Sequence, residues 1–189
     1  MTQQGKNAID LVLAESLIEL SAKKPIDKIT IKEITDKAGV IRPTFYNHFQ
    51  DKYELIEWII KSELLEPIKP LLNAGMIFEA IVLMLNNISA NSVFYKKALK
   101  LEGAVTFNQM AMKCVCEMFM NIISEKSTGK KSKYRWLTPE VVSTYYAQSL
   151  CFITEGWIAQ GMDDIEPKEM AEAYMYLITR SMDDILSEL

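Results

Sequence analysis

The sequence predicts an all-α protein with about nine helices, and three observations support this fold class. Apolar residues recur at helical spacing over long stretches, whereas no stretch shows the strict alternation of apolar and polar residues typical of strands. Gly and Pro are scarce, with seven and six copies among 189 residues. Nearly half of the residues are apolar, so a chain of this length can bury a sizeable core.

The first helix is predicted from about Asn7 to Ala22, with its periodic apolar positions directed inward. Three acidic residues, Asp10, Glu15 and Glu19, interrupt this apolar stretch, which argues against a signal peptide. No run in the sequence approaches the ~18 apolar residues that a membrane span requires. We therefore expect a cytoplasmic protein with no membrane partner.

Two short helices joined by a glycine turn are predicted for residues 30 to 52. Thr30 is a favourable N-cap, and Glu33 three residues later completes a capping box. Gly39 ends this helix, because the left-handed conformation needed there costs glycine little. Pro43 lies in the first turn of the next helix, where a missing N–H does no harm. A helix, a short turn and a second helix form the layout of a DNA-binding helix-turn-helix.

The second of these helices separates into an inward and an outward face. At roughly 100° per residue, Phe45 and Phe49 fall together on the inward face, with Ile41 nearby. Arginine pairs with guanine, asparagine pairs with adenine, and apolar groups touch the thymine methyl. The outward face carries side chains suited to these contacts and to phosphates: Arg42, Pro43, Thr44, Tyr46 and Asn47.

This segment resembles the N-terminal domain of TetR-family transcriptional regulators over about the first quarter of the chain. One departure is Ile41, where the family usually has a small polar cap. The matching residues are Thr30, Ile34, Ala38-Gly39-Val40, Thr44-Phe45-Tyr46, His48-Phe49, Lys52 and Leu55.

The resemblance implies roles for the residues on and around the recognition helix. Tyr46 and Lys52 are expected to contact phosphates, and Thr30 and Lys32 are expected to lie on DNA. His48, the only histidine, either packs and forms a hydrogen bond within the fold or contacts a phosphate. The candidates for contacts with base edges are Arg42, Pro43, Thr44 and Asn47.

The charge distribution is compatible with DNA binding although the whole chain carries a net charge of −4. Residues 23 to 52 contain seven basic and four acidic side chains, a local charge of +3. DNA binding requires a local basic surface rather than a basic protein. Because this surface is only modestly basic, we expect weak non-specific affinity at physiological salt.

A domain boundary is predicted near Pro67 and Pro70, which interrupt a long helix that starts at Lys52. Residues 1–66 would form the helix-turn-helix domain, and residues 67–189 a helical domain for ligand binding and dimerisation. The helices of the second domain are expected at about 76–86, 92–101, 106–124, 138–160 and 167–189. A basic loop is predicted at 125–137.

The last two predicted helices are candidates for a dimer interface. The penultimate helix is apolar nearly all round, so it must be buried on two sides. In TetR-like proteins the last two helices form a four-helix interface with their symmetry mates, and two recognition helices read a palindromic operator in double-stranded DNA. The residues assigned to a homodimer interface are Tyr146, Leu150, Ile153, Trp157, Tyr174, Leu177, Ile178 and Met182.

The helices at 106–124 and 138–160 combine Met and aromatic residues with a few polar groups. This composition suits a small-molecule site, and it equally suits a Met-rich core. The resemblance favours an effector site, since the family commonly binds an effector here. The residues assigned to this pocket are Phe107, Met110, Phe119, Tyr145, Gln148 and Phe152.

Other classes of site have little support in the sequence. Cys114, Cys116 and Cys151 form no regular framework, which predicts reduced thiols. We find no nucleophile–base pair, metal-ligand cluster or Gly-rich phosphate loop. We therefore expect no metal and no cofactor, and an α-helical enzyme is a remote alternative.

The sequence thus favours a dimeric, sequence-specific DNA-binding regulator, expected to be a repressor released by a small molecule. An alternative is a regulator or activator controlled by a protein partner. The segment from Lys23 to Ile59 also resembles the TetR-like regulators of dihydroxyacetone kinase operons, some of which are activators with a protein co-activator.

Overall fold

The computed structural model describes residues 3–102, 105–126 and 132–188, with side chains from residue 8 onward. Within these ranges the chain forms eleven α-helices, nine of them with seven residues or more, and no strand, which confirms the predicted fold class. The helices are α1 (Gln3–Lys23), α2 (Ile31–Ala38), α3 (Arg42–His48), α4 (Lys52–Ile59), α5 (Lys69–Asn73), α6 (Ile77–Ala90), α7 (Ser92–Ala98), α8 (Phe107–Lys126), α9 (Pro139–Ala159), α10 (Pro167–Thr179) and α11 (Met182–Leu186).

Helices α1 to α4 pack around one apolar centre. Helix α1 contacts α2, α3 and α4. The side chains of Leu13 and Leu17 on α1 are fully buried, as are Ile34 on α2, Phe45 on α3 and Leu55 on α4. Burial of such side chains stabilises the fold by roughly 1.5–3 kcal/mol each. The recognition helix α3 is therefore mounted on a packed support.

A π-helical segment, Ile60–Leu65, continues α4 without a break. The sequence predicted a regular helix here, but the N–H of Glu66 donates to the carbonyl of Lys61 at 2.8 Å, five residues back. The wider turn brings residues five apart onto one face. Ile60 and Leu65 are both buried as a result, together with Leu64. The extra residue thus adds apolar contact with the C-terminal helices.

The C-terminal helices form a second bundle in which α8 packs along α9 and α6 packs on α10. Helix α8 is tied to α4 and the π segment by ion pairs of 2.7 Å, Lys113 with Glu57 and Lys61 with Glu117. No single helix in the described ranges is long and apolar enough to cross a membrane, although α6 and α7, bent by 88°, reach that length and composition together.

The end of the chain departs from the prediction of one helix from Pro167 nearly to Leu189. Helix α10 ends at Thr179, and Ser181 starts α11 with a capping box. Its Oγ accepts the N–H of Asp184 at 3.2 Å, and the Asp184 carboxylate accepts the N–H of Ser181 at 3.2 Å. This local cap interrupts the periodic apolar pattern. Leu189 and residues 127–131 of the predicted basic loop lie outside the described ranges.

Candidate nucleic-acid interface

The start of α2 is fixed by the capping box that the sequence predicts. The Thr30 Oγ1 atom accepts the N–H of Glu33 at 3.3 Å, and the Glu33 carboxylate accepts the N–H of Thr30 at 2.9 Å. Lys24 donates to the same carboxylate at 2.5 Å. The hydrogen bond from Lys24, followed by those from Thr30, lowers the pKa of Glu33 to about 2. Thr30 therefore lies exposed at a rigid helix start.

Lys32 is exposed on the first turn of α2, where its ammonium lies 2.6 Å from the carboxylate of Asp36. This hydrogen bond is the main cause that raises the pKa of Lys32. Both side chains are largely exposed to solvent, so their attraction is weak and screened by salt. Lys32 can therefore exchange Asp36 for a phosphate at little cost.

The outward face of α3 carries a pre-arranged group. The Nη2 of Arg42 donates to the Tyr46 hydroxyl at 3.1 Å, and the guanidinium lies 5.6 Å from the centre of the Tyr46 ring. Both side chains are exposed, as are Pro43 and Asn47, while Thr44 is half-buried. The opposite face buries Phe45 and Phe49. The five outward residues named from the sequence thus share one surface.

The helical projection placed Ile41 near the inward face, but in the structure Ile41 lies outside that face. It holds the N-cap position of α3 with an extended backbone, and 69% of the residue is exposed. Its carbonyl accepts the N–H of Thr44 at 2.9 Å. The helix begins at Arg42 despite the missing polar cap, because Pro43 fixes φ in the first turn. An exposed apolar side chain next to Arg42 is a candidate contact that the projection missed.

The side chain of His48 is turned into the fold, and its assignment to the DNA-binding set stays a prediction. Its side chain is 2% exposed, and Nδ1 lies 2.6 Å from Oδ1 of Asp10 on α1. This geometry matches the alternative in which His48 packs and forms a hydrogen bond within the fold. The sequence predicted no role for Asp10, because it is 38 residues from His48 and local sequence patterns do not predict such a distant pair.

Lys52 uses its ammonium inside the fold. The three N–H groups donate to the carbonyls of Ile26, Asp27 and Ile29 at 3.0, 2.7 and 3.2 Å. Burial lowers the pKa of Lys52. An ammonium has three donors, so all of them are engaged in closing the segment between α1 and α2. The predicted phosphate contact of Lys52 would require breaking one of these bonds.

Comparison with known families decides the identity of the chain. The family model described as bacterial regulatory proteins of the tetR family matches residues 15–59. A TetR-type model described as transcriptional regulator C-terminal region matches residues 76–180, more than half of the chain. The chain belongs to the TetR family. The resemblance noted in the sequence is thereby confirmed, and the protein is a transcriptional regulator of a family that binds DNA.

Similar proteins include both activators and repressors, and they are regulators rather than enzymes. The HTH-type dhaKLM operon transcriptional activator DhaS of Lactococcus lactis is 26% identical over 152 residues, 79% of each chain. A solved structure of a dihydroxyacetone kinase operon activator DhaS has a TM-score of 0.64 at 20% identity, covering 90% of this chain and 93% of that one. NalD, the secondary repressor of the MexAB-OprM multidrug efflux pump in Pseudomonas aeruginosa, has a TM-score of 0.58 at 14% identity, covering 93% and 96%. At these identities the two structures show the shared fold alone.

The residues assigned to a dimer interface of this TetR-family protein divide into two groups. Trp157 is 3% exposed, and its Nε1 donates to the carbonyl of Ile165 at 2.9 Å. Leu150 and Tyr174 are also buried within the protomer. These three offer little surface to a second subunit, so the predicted interface rests on the other five residues. The others reach the surface: Tyr146, Leu177 and Met182 are exposed, and Ile153 and Ile178 are half-buried.

The residues assigned to an effector pocket do not surround one space. Tyr145, Gln148 and Phe152 lie on the exposed side of α9, and Phe152 is 74% exposed. Met110 is packed in the core, and Phe119 borders a different depression, next to α10. Of the six, only Phe107 lines the small cavity between the π segment and helices α6 to α9, and the effector pocket stays a prediction. A helical projection of α9 does not show which of its sides is covered by the other C-terminal helices.

The cysteine thiols are unbridged. Burial raises the pKa of Cys114 to about 11 and that of Cys151 to about 12. Both therefore stay protonated and weakly nucleophilic at neutral pH. Within the described ranges, no three His, Cys, Asp or Glu side chains are grouped to hold a metal ion.

Proposed function

We propose that this TetR-family regulator acts as a homodimer on a palindromic operator, with α3 of each subunit in the major groove. The observation that carries the proposal is the exposed face of α3, where Arg42 is held against Tyr46 over a buried aromatic support. Arginine in a fixed orientation pairs well with guanine, and the exposed Asn47 suits adenine. Pro43 and Thr44 supply apolar contacts to base edges.

The same surface offers contacts to the phosphate backbone. Thr30 and Lys32 lie exposed on the first turn of α2, and the Tyr46 hydroxyl is exposed on α3. Such contacts fix the register of the protein on DNA without reading sequence. Residues 1–66 form the DNA-binding domain in this proposal, and residues 67–189 form the domain for assembly and signalling. The protein would work in the cytoplasm, where its operator lies.

An exposed apolar stripe on the last helices supports the homodimer. Tyr145 and Phe152 on α9 and Leu177 on α10 are large apolar side chains at the surface, and Met182 on α11 extends the stripe. Large apolar side chains exposed on consecutive helices suit a protein contact. A two-fold axis at these helices would set the spacing of the two recognition helices.

Selection of bound duplexes from a random library tests the proposal. The recovered sequences should show two-fold symmetry with half-sites about one or more helical turns apart. Arg42→Ala should weaken binding to the recovered operator by about 1–3 kcal/mol and relax preference at one position per half-site. Lys100→Ala, which removes an exposed charge in the turn that follows α7, is the matched control. No enriched sequence, or equal loss in both variants, would contradict the proposal.

Two modes of controlling operator binding are compatible with this proposal. In the first, the regulator is a repressor released when a small molecule binds the C-terminal domain. In the second it is an activator controlled by a protein partner; the 26% identity to an operon activator over 79% of the chain supports the activator role alone. Placing the selected operator before a reporter separates them: removal of the regulator raises transcription in the first case and lowers it in the second. Capture of one stoichiometric protein by the tagged regulator would further favour the second.

A further inference from the structure

A small cavity lies between the π segment and helices α6, α7, α8 and α9. Its volume is about 50 Å³. One water-sized group needs roughly 10–15 Å³ of such volume, so the cavity has room for about three to five non-hydrogen atoms. Most of the wall is apolar and includes Ile60, Leu64, Met84, Ile88, Val115 and Ile158.

Two hydroxyl groups in the cavity wall are buried without a hydrogen-bond partner among the described residues, the phenol of Tyr95 on α7 and Oγ1 of Thr154 on α9. Tyr95 is only 1% exposed. Burial raises the pKa of Tyr95, so its O–H remains a donor at any physiological pH. Buried polar groups in native proteins nearly always have a partner. Two hydroxyl protons without an acceptor in one small cavity therefore call for an occupant that has a hydrogen-bond acceptor atom.

The charge of the wall restricts the ligand further. Among the described residues that line the cavity, the only charged side chain is Glu155, and its carboxylate accepts a hydrogen bond from the side-chain amide of Asn108. A ligand carboxylate or phosphate would face this charge with no basic partner in the wall, at a large cost in desolvation. An ammonium group could pair with the Glu155 carboxylate, but it has no acceptor for the hydroxyl protons of Tyr95 and Thr154. The wall therefore favours an uncharged molecule.

We propose that this cavity binds a short, uncharged organic molecule, a ketone, aldehyde or alcohol of about three to five non-hydrogen atoms, whose oxygen accepts hydrogen bonds from Tyr95 and Thr154. The apolar part of the ligand contacts the aliphatic wall. This site shares only Phe107 with the pocket expected from the sequence.

The cavity also reaches the DNA-binding half of the chain. Ile60, Leu64 and Leu65 of the π segment form part of its wall, and this segment continues α4, which begins at Lys52 beside the helix-turn-helix. A π turn is one residue wider than an α turn, which makes it a natural place for a change of register. Occupancy of the cavity is coupled to operator affinity through this segment. This coupling rests on the proposed function, whereas the binding site does not.

The experiment uses four probes of matched size on the full-length protein: acetone, 1-propanol, propionate and propylammonium. Titration followed by NMR of the isoleucine and leucine methyl groups should show saturable shifts at Ile60 and Leu64 with acetone or 1-propanol, and no saturation with the two ions. Tyr95→Phe and Thr154→Val should each weaken binding about three- to tenfold, the effect of one neutral hydrogen bond. Tyr174→Phe is the control, because that buried hydroxyl pairs with Ser149 at 3.0 Å.

Operator affinity is measured on the same samples without and with saturating probe. A change of fivefold or more in the parent, lost in Tyr95→Phe, supports the coupling. Absence of any saturable shift, equal binding of propionate, or parental probe affinity in Tyr95→Phe with Thr154→Val overturns the binding site. Probe binding with unchanged operator affinity overturns the coupling. A parent that binds no selected operator refutes the proposed function instead, and the NMR titration then still decides the binding site.

Discussion

The imidazole Nδ1 of His48 lies 2.6 Å from the Oδ1 atom of Asp10, and this hydrogen bond joins the end of the recognition helix to α1. At the other end of α1, the ammonium of Lys97 on α7 donates to the carbonyls of Ser21 and Ala22 at 2.5 and 3.0 Å. Helix α1 is thus held by the recognition helix at one end and by the C-terminal bundle at the other. A continuous chain of contacts therefore leads from the bundle through α1 to α3.

Asp10→Ala should destabilise the protein and weaken operator binding, because it leaves the buried imidazole of His48 without its acceptor. Loss of a buried hydrogen-bond partner costs about 1–3 kcal/mol, which urea unfolding can measure. Asp10→Asn keeps an acceptor and should cost less, and Glu15→Ala, at an exposed position of the same helix, should change little. Equal stability of Asp10→Ala and the parent would show that the bond contributes nothing.

Ile41→Ser should raise stability and lower operator affinity at the same time. Serine at this N-cap position can accept the N–H of Thr44, which already donates to the carbonyl of residue 41, so we expect a gain near the lower end of the about 0.5–2 kcal/mol of such a cap. The exposed isoleucine is lost as an apolar partner for a thymine methyl, worth roughly 0.8 kcal/mol. Replacing each operator thymine in turn by uracil locates the contact: the parent should lose affinity at one position per half-site, and Ile41→Ser should not. A parent indifferent to every such replacement would rule out the methyl contact.

Local chemistry explains which parts of the fold the sequence could predict. Thr30, Gly39 and Asp51 mark helix ends, because each satisfies backbone groups within a few residues. The Ser181 cap of α11 is equally local in sequence. The apolar pattern continues past Ser181, however, and so it predicted one uninterrupted helix. The π segment differs from an α-helix by one extra residue in a turn. A search for apolar residues at a period of 3.6 does not detect this difference.

Long-range geometry accounts for the differences between the site expected from the sequence and the arrangement of its residues in the structure. Helical projection gives the angle between two side chains and not the neighbour that covers each face. His48 and Lys52 match the family motif, but their partners Asp10 and Ile26 are distant in sequence. Helix α9 is apolar on several sides, so the sequence could not show that Trp157 faces inward.

The capping box of α2 should make stability depend on pH through Glu33. Its pKa of about 2 in the folded protein is below the 4.5 of an unperturbed glutamate. A lowered folded-state pKa adds stability that is fully present above pH 4.5 and is lost as the pH falls towards 2. Glu33→Gln should therefore be less stable than the parent near pH 6, and this difference should shrink below pH 4.5.

Two measurements check the role of Glu33. Thermal melting of the parent and Glu33→Gln between pH 6 and pH 3 gives the difference in stability, and NMR titration of the Glu33 carboxyl gives its pKa directly. Glu79→Gln removes a carboxylate from the exposed first turn of α6 and serves as the control. A stability difference that stays constant across this range would show that the ion pair with Lys24 has no energetic effect.

Two substitutions on α9 should separate assembly from folding. Phe152→Glu places a charge on the exposed apolar stripe, so the protomer should keep its fold and lose its partner, since an unpaired charge in an apolar interface is costly. Trp157→Glu places the same charge inside the protomer, where the buried indole donates a hydrogen bond to the Ile165 carbonyl, and should unfold the protein.

Light scattering gives the mass, and circular dichroism gives the helix content. The Phe152 variant should have half the parental mass at micromolar concentration, unchanged helicity and weakened operator binding, because each monomer reads a single half-site. A parent that is already monomeric, or a Phe152 variant that stays dimeric, would place the interface elsewhere on the surface.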